Sequence, residues 1–439
     1  MSNMIKIQAL FLSSALLMFG GGPQRLLLAV RGADEGFSIF SLGLIGTGWS
    51  LGFISGSVAV PLLVRRTGHI RAFSVMAAVG TLTILLNLLW ISETGWIVLR
   101  VFSGFCFAGA AMIVESWLNE VSEPGNRGTI FSVYVMLNMS FSTLGQLSMS
   151  ITGVAGYLPF VIGAMAFILS LLPTAVTTRR QPRPLASARI DLKALYSASP
   201  VAVVACFSVG VGNGSFGTLA PVFGFLQGLS TSDIAHMMST AYILGAIGQV
   251  PFGRLSDSID RRWVIIGTSL FAAFVGLFIA LFNPTGGMWM LILVGLYGFG
   301  AYPIHAVAIA HANDGADPGD FASVAAGLLL VFGLGLAAGP LMASLAMNWL
   351  RPSALFLVTA FFHGLLAISA FVRMQVRPAR EDDEHVPFRA VPLGKNSTLA
   401  TVALDPRATE SSSDKMGETG VTPGISAKPV QEDTEEEMA

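Results

Sequence analysis

Residues 253–262 read GRLSDSIDRR, five charged side chains between two apolar stretches in a chain of which only 12% is charged. Outward from that turn the apolar stretches recur in runs of about 20 residues, the length an α-helix needs to cross the hydrocarbon of a bilayer. Lipid offers no partner to backbone N–H and C=O groups, so a chain enters it as helices that satisfy those groups internally. Hydrophobic residues make up 53% of the 439, and mean hydropathy is +0.69. Those values exclude an ordinary soluble domain.

The runs predict spans near 6–30, 37–62, 72–92, 96–118, 128–151 and 155–177, and again near 200–226, 234–253, 262–282, 287–310, 321–347 and 353–373. The expected fold is an all-α membrane protein of twelve transmembrane helices in two six-helix bundles, an N-terminal one over 1–177 and a C-terminal one over 200–373. Between them, 178–199 is expected as a cytoplasmic linker. Residues 374–439 hold 13 of the 26 acidic residues and read as a disordered acidic cytoplasmic tail. The first run, IKIQALFLSSALLMFGGG, has no clear small-residue cleavage site and is read as a span rather than a signal peptide.

Lys and Arg in short loops stay in the cytoplasm. Lys6, Arg65, Arg66, Arg71, Arg127, the group from Arg179 to Lys193, Arg254, Arg261, Arg262, Arg373 and Arg377 fall on one side of the twelve spans, against Arg31 and Arg351 on the other. Both termini and the 253–262 turn are therefore expected in the cytoplasm. The matching turn of the first half, PLLVRRTGHIR at 61–71, keeps Arg66, Gly68 and Arg71 but has Pro61 and Arg65 where the second has Gly253 and Asp257. A parallel duplication of a six-helix unit places two such turns on the same face.

These turns resemble the signature loop of the major facilitator superfamily, a large group of secondary transporters. The fourth run adds LRVFSGFCFAGA, with Arg100, Gly104 and Gly109 in a pattern similar to that family's. ESWLNE at 115–120, GQVPFGRLSD at 248–257 and HANDGADPGDF at 311–321 are similar to the bacterial branch typified by YcaD. The resemblance implies two bundles around a central cavity open alternately to each side of the inner membrane. It implies gating by Gly253, Asp257, Arg261 and Arg262, with Arg66 and Gly68 in the weaker twin.

Ionisable groups inside a span are costly, so each is a candidate for function. Arg100 and Glu115 on the fourth run, and Arg25 with Gln24 beside Pro23 on the first, are candidates for substrate or ion coupling. Pro23 is expected to break the first helix, and Glu115 to pair with Arg65, Arg66 or Arg127. Asn213 and Phe216 in GVGNGSFGTLAPVFG are expected to line the cavity, and Tyr302 and His305 to act beside the helix break at Pro303. His305 and His311 do not share a helical face, so no metal is expected. Cys106 and Cys206 both lie in spans and suggest no disulfide framework. The many glycines follow no phosphate-loop pattern and read as close helix packing.

The expectation is a secondary active or facilitative transporter, not an enzyme and without cofactor. Its partners are a small molecule and the bilayer, with protons left open and no nucleic acid; the chain is expected to be a monomer. The solute is expected to be small and largely neutral, a vitamin such as riboflavin, a sugar or a nucleoside, with a slight lean to import. A proton-coupled drug or metabolite exporter is one alternative, and a non-transporting membrane sensor another.

Overall fold

The computed structural model describes residues 2–122, 127–175, 192–284, 287–314 and 321–376. The acidic tail beyond 376 and most of the expected linker lie outside these residues. The first five helices are Ser2–Asp34, Ile39–Thr67, His69–Leu89, Glu93–Val121 and Arg127–Leu147, the last extended by Met149–Thr152. The sixth is Leu158–Leu169, continued by Leu171–Ala175, and the seventh to ninth are Pro200–Leu226, Thr231–Ser258 and Arg261–Phe282. The tenth runs as Gly287–Ala301 and Pro303–Asn313, and the eleventh and twelfth are Phe321–Trp349 and Ala354–Val376.

Among the described residues, nine helices are long and apolar enough to cross a membrane. The sixth falls short in length. The first and eighth carry more polar residues, among them Gln24, Arg25, Asp233, Gln249 and Arg254.

Short polar turns start these helices where side-chain oxygens can accept the unpaired N–H groups of the first turn. Ser38, Ser92 and Ser230 cap the second, fourth and eighth helices. Ser199 followed by Pro200 opens the seventh, with proline where no N–H is needed. The tenth helix is interrupted at Tyr302 because Pro303 has no N–H to continue the ladder.

The first helix, by contrast, is continuous through Pro23. Pro23 leaves the Phe19 carbonyl without its usual donor, and that carbonyl lies against Gly145 of the fifth helix, where any side chain would overlap it. Close packing, not a break, absorbs the proline.

Packing repeats with an offset of six. The first helix packs on the fifth, the second on the fourth and the third on the sixth; the seventh packs on the eleventh, the eighth on the tenth and the ninth on the twelfth. The seventh–eleventh pair approaches to backbone contact, since a Cβ on Gly210 would stand 3.0 Å from Gly335 Cα. Phe53, Phe107 and Phe167 pack in a row in one core. Phe216, Phe223, Tyr297 and Phe356 pack in the other.

The two sets meet through the second helix. Thr47 donates to the Ala337 carbonyl at 2.8 Å and Ser50 to the Leu336 carbonyl at 3.2 Å. A Cβ on Gly46 would overlap Thr218. Part of the expected linker is itself helical, Leu192–Ala198; the Tyr196 hydroxyl accepts from Arg373 at 3.1 Å and ties this helix to the twelfth.

Candidate functional site

A small pocket opens where the first, second, fourth and seventh helices meet, with about 20 Å³ of room for the centre of a water-sized sphere. Its polar lining is Gln24, Arg25, Arg100 and Thr218. Leu28, Leu42, Ile45 and Trp49 supply apolar wall. Arg100 sits nearly two turns inside the fourth helix and is 5% exposed. Its Nη1 donates to Gln24 Oε1 at 3.2 Å, and the same oxygen accepts from Ser103 Oγ at 3.3 Å.

Trp49 lies against both cations: the guanidinium carbons of Arg25 and Arg100 are 5.7 and 5.8 Å from the centre of its ring. The ring's negative face attracts each of them. Trp49 was not among the sequence candidates, and the glycines around it in GTGWSLG were the only signal for it. Gly52 and Gly104 let the second and fourth helices approach closely, which is why Trp49 and Arg100 reach one site.

On the seventh helix the wall is Gly217 and Thr218, not the expected Asn213 and Phe216. Phe216 is fully buried between Tyr297 and Phe356, because its position faces the core of the second bundle. Asn213 is buried too. Tyr302 packs on Tyr242, with ring centres 5.5 Å apart. His305 stacks on Phe332 at 4.3 Å, with its Nδ1 3.8 Å from Cys206 Sγ. Among the described residues no group of His, Cys, Asp or Glu is arranged to hold a metal ion.

Glu115 is completely buried and accepts from the Tyr134 hydroxyl at 2.5 Å. One turn further along the same face of the fifth helix, Asn138 accepts from Ser14 of the first at 2.7 Å. Arg65 and Arg66, two of the expected partners of Glu115, are exposed. The Arg127 side chain lies outside the description. Tyr134 is a partner the sequence reading missed.

The opening turn is organised around Arg261. Its Nε donates to Asp314 Oδ2 at 2.7 Å, and its Nη1 donates to Ser256 Oγ at 3.0 Å and Asp257 Oδ1 at 3.2 Å. Arg261 and Asp314 are nearly excluded from solvent, whereas the Asp257 side chain is 39% exposed. The Arg262 guanidinium pairs with Asp260 at 2.7 Å, and Asp260 also caps the ninth helix through the Arg262 amide at 2.9 Å. Gly253 is buried and its carbonyl accepts from Ser256. In the twin turn, Gly68 joins the second and third helices at φ 83°, a backbone conformation that favours glycine, and Arg66 is exposed.

Two bundles with matching helix pairing, meeting at a pocket walled by helices of both, are the architecture of a membrane transporter. A family model described as Major Facilitator Superfamily matches residues 10–316 and 228–409, and the chain belongs to that superfamily. It is 27% identical over 331 residues to the Escherichia fergusonii protein named "Uncharacterized MFS-type transporter YcaD", covering 75% of this chain and 85% of that one. It is 26% identical over 370 residues to a Yersinia pestis MFS-type transporter, covering 80% and 90%. These relatives place it in the YcaD-like branch.

Among solved structures, the nucleoside transporter NupG superposes with a TM-score of 0.70 at 14% identity, over 85% of this chain and 100% of that one. A D-xylose-proton symporter superposes with a TM-score of 0.62 at 13% identity, over 87% and 99%. At such identities the likeness is one of fold.

Proposed function

We propose that this MFS transporter is a secondary carrier of the bacterial inner membrane, moving a small organic solute by alternating access with both termini in the cytoplasm. The observation that carries the reading is the pocket itself, whose wall combines Arg100, Trp49 and Gln24 from the first bundle with Thr218 from the second. A rocking motion of the bundles would expose such a pocket to either side. Thr47 and Ser50 join the bundles at the depth of the pocket, and the close approach of Gly43 to Pro340 and Ser344 lies beyond it toward the face opposite the termini. The buried network of Arg261 is then the gate on the cytoplasmic side, with Asp257 and Arg262 at its rim and Arg66 and Gly68 in its twin.

Solved carriers of the same fold are named for a nucleoside and for a sugar with a proton. A small solute with hydrogen-bonding groups is consistent with them. Two guanidiniums beside the pocket argue against a wholly neutral one.

Thr218→Cys in a background with Cys106 and Cys206 replaced tests the reading without knowledge of the solute. In right-side-out and inside-out vesicles, an impermeant thiol reagent is expected to label it from both faces. Labelling from one face alone would favour the sensor over the carrier. Direction and coupling follow from uptake and efflux of labelled solutes with and without an uncoupler.

A further inference from the structure

We infer that the solute is an organic carboxylate, seated with its charged end on Arg100 and Arg25 and its apolar body against Trp49, Leu42 and Ile45. This deepens the proposed carrier function and rests on it for the word solute, but not for the site. Of the residues that line the pocket, two carry a positive charge and none is Asp or Glu. On the fourth helix Glu93 is seven residues before Arg100 and is held by the Ser38 amide and the Ser41 hydroxyl, and Glu115 is fifteen residues beyond it. At 1.5 Å per residue that is about 22 Å along the axis, and Glu115 is held by Tyr134.

Arg100 is the more deeply buried of the two cations. It is 95% buried, and its Nε has no hydrogen-bond partner among the described residues. Gln24 satisfies Nη1 with a neutral oxygen that it shares with Ser103. Trp49 attracts the cation through its ring but supplies no lone pair of carboxylate strength. A buried guanidinium with an unmatched donor is costly in a membrane, and such groups mark substrate paths.

An anion answers both deficits, because the planar guanidinium fork matches two oxygens of a carboxylate and is weakly hydrated. Inorganic phosphate is a poorer occupant. The rest of the wall is the apolar set Leu28, Leu42, Ile45 and Trp49, which buries a hydrocarbon or aromatic body and gains nothing from a bare ion.

The test is ligand-induced thermal stabilisation of the full chain in nanodiscs. Two matched pairs, benzoate with benzamide and hexanoate with hexanamide, are titrated beside inorganic phosphate. A charge-assisted hydrogen bond predicts an acid-over-amide preference of about 10- to 100-fold. Arg100→Gln is expected to abolish that preference and Arg100→Lys to retain part of it.

Arg25→Gln guards against misfolding at the more buried position and is expected to weaken acid binding with amide binding unchanged. Equal binding of acid and amide overturns the inference, as does a preference that survives both Gln variants. Phosphate binding as tightly as the carboxylates, or no shift with any probe, also overturns it. The nanodisc readout involves no transport, and the Thr218→Cys labelling involves no anion, so either reading can fail alone.

Discussion

Arg261 at the start of the ninth helix reaches Asp314 at the end of the tenth, Nε to Oδ2 at 2.7 Å, with 1% and 3% of the two side chains exposed. The Arg261–Asp257 contact in the same cluster is 3.2 Å long, and its carboxylate is 39% exposed. Solvent screening makes an exposed pair worth little, while removing one member of a buried pair strands the other.

Asp314→Asn is therefore expected to cost about 3 kcal/mol of stability in nanodiscs, and Asp257→Asn less than about 1 kcal/mol. Chemical denaturation followed by Trp fluorescence measures both. Equal effects would mean that Asp257 carries as much of the turn's structural weight as Asp314.

Asp260 gives the turn a pH dependence. Burial works to raise its proton affinity, but the hydrogen bonds from the Arg262 side chain and amide outweigh it and hold Asp260 below its ordinary value of 3.8. A depressed folded-state value means the contribution is complete above the unfolded value and is lost as pH falls through the folded one. Stability is expected to drop as pH is lowered below about 4, and Asp260→Asn to show a shallower drop. Identical acid profiles for the two proteins would remove Asp260 from the account.

Gly46 lies where the second helix crosses the seventh, and a side chain there would overlap Thr218. Gly46→Leu is expected to wedge the bundles apart on the face opposite the termini. The readout is a cysteine at Ser344 of the eleventh helix, which lies against Gly43, three residues before Gly46 on the second. Impermeant reagent from that face is expected to label it several-fold faster in the Gly46→Leu background, and an unchanged rate would show that the contact does not hold the closed side.

The all-helical membrane fold was legible in the sequence because lipid leaves one solution for each apolar run. The offset-of-six pairing was legible as two related turns. What composition could not supply was the facing of each side chain. Phe216 and Thr218 are two residues apart, yet one fills a core and the other walls the pocket. Arg25 and Arg100 stood out as charges in spans, while Trp49, an ordinary apolar residue by type, gains its role only from the helix crossing that sets it between them. The pairing of Asp314 with Arg261 was not legible, because the two are 53 residues apart.

Tyr134 and Glu115 offer a final check on how the first bundle is held. Both are buried, on the fifth and fourth helices, and the phenol donates to the carboxylate at 2.5 Å. A hydrogen bond to a charged group contributes about 1.5–3 kcal/mol, and a neutral one about 1 kcal/mol. Tyr134→Phe is thus expected to destabilise more than Ser14→Ala, which removes the neutral bond to Asn138 one turn away. Combining Tyr134→Phe with Glu115→Gln is expected to cost about 0.5–3 kcal/mol less than the sum of the two single changes. Strictly additive losses would mean that the two side chains are neighbours without a working bond.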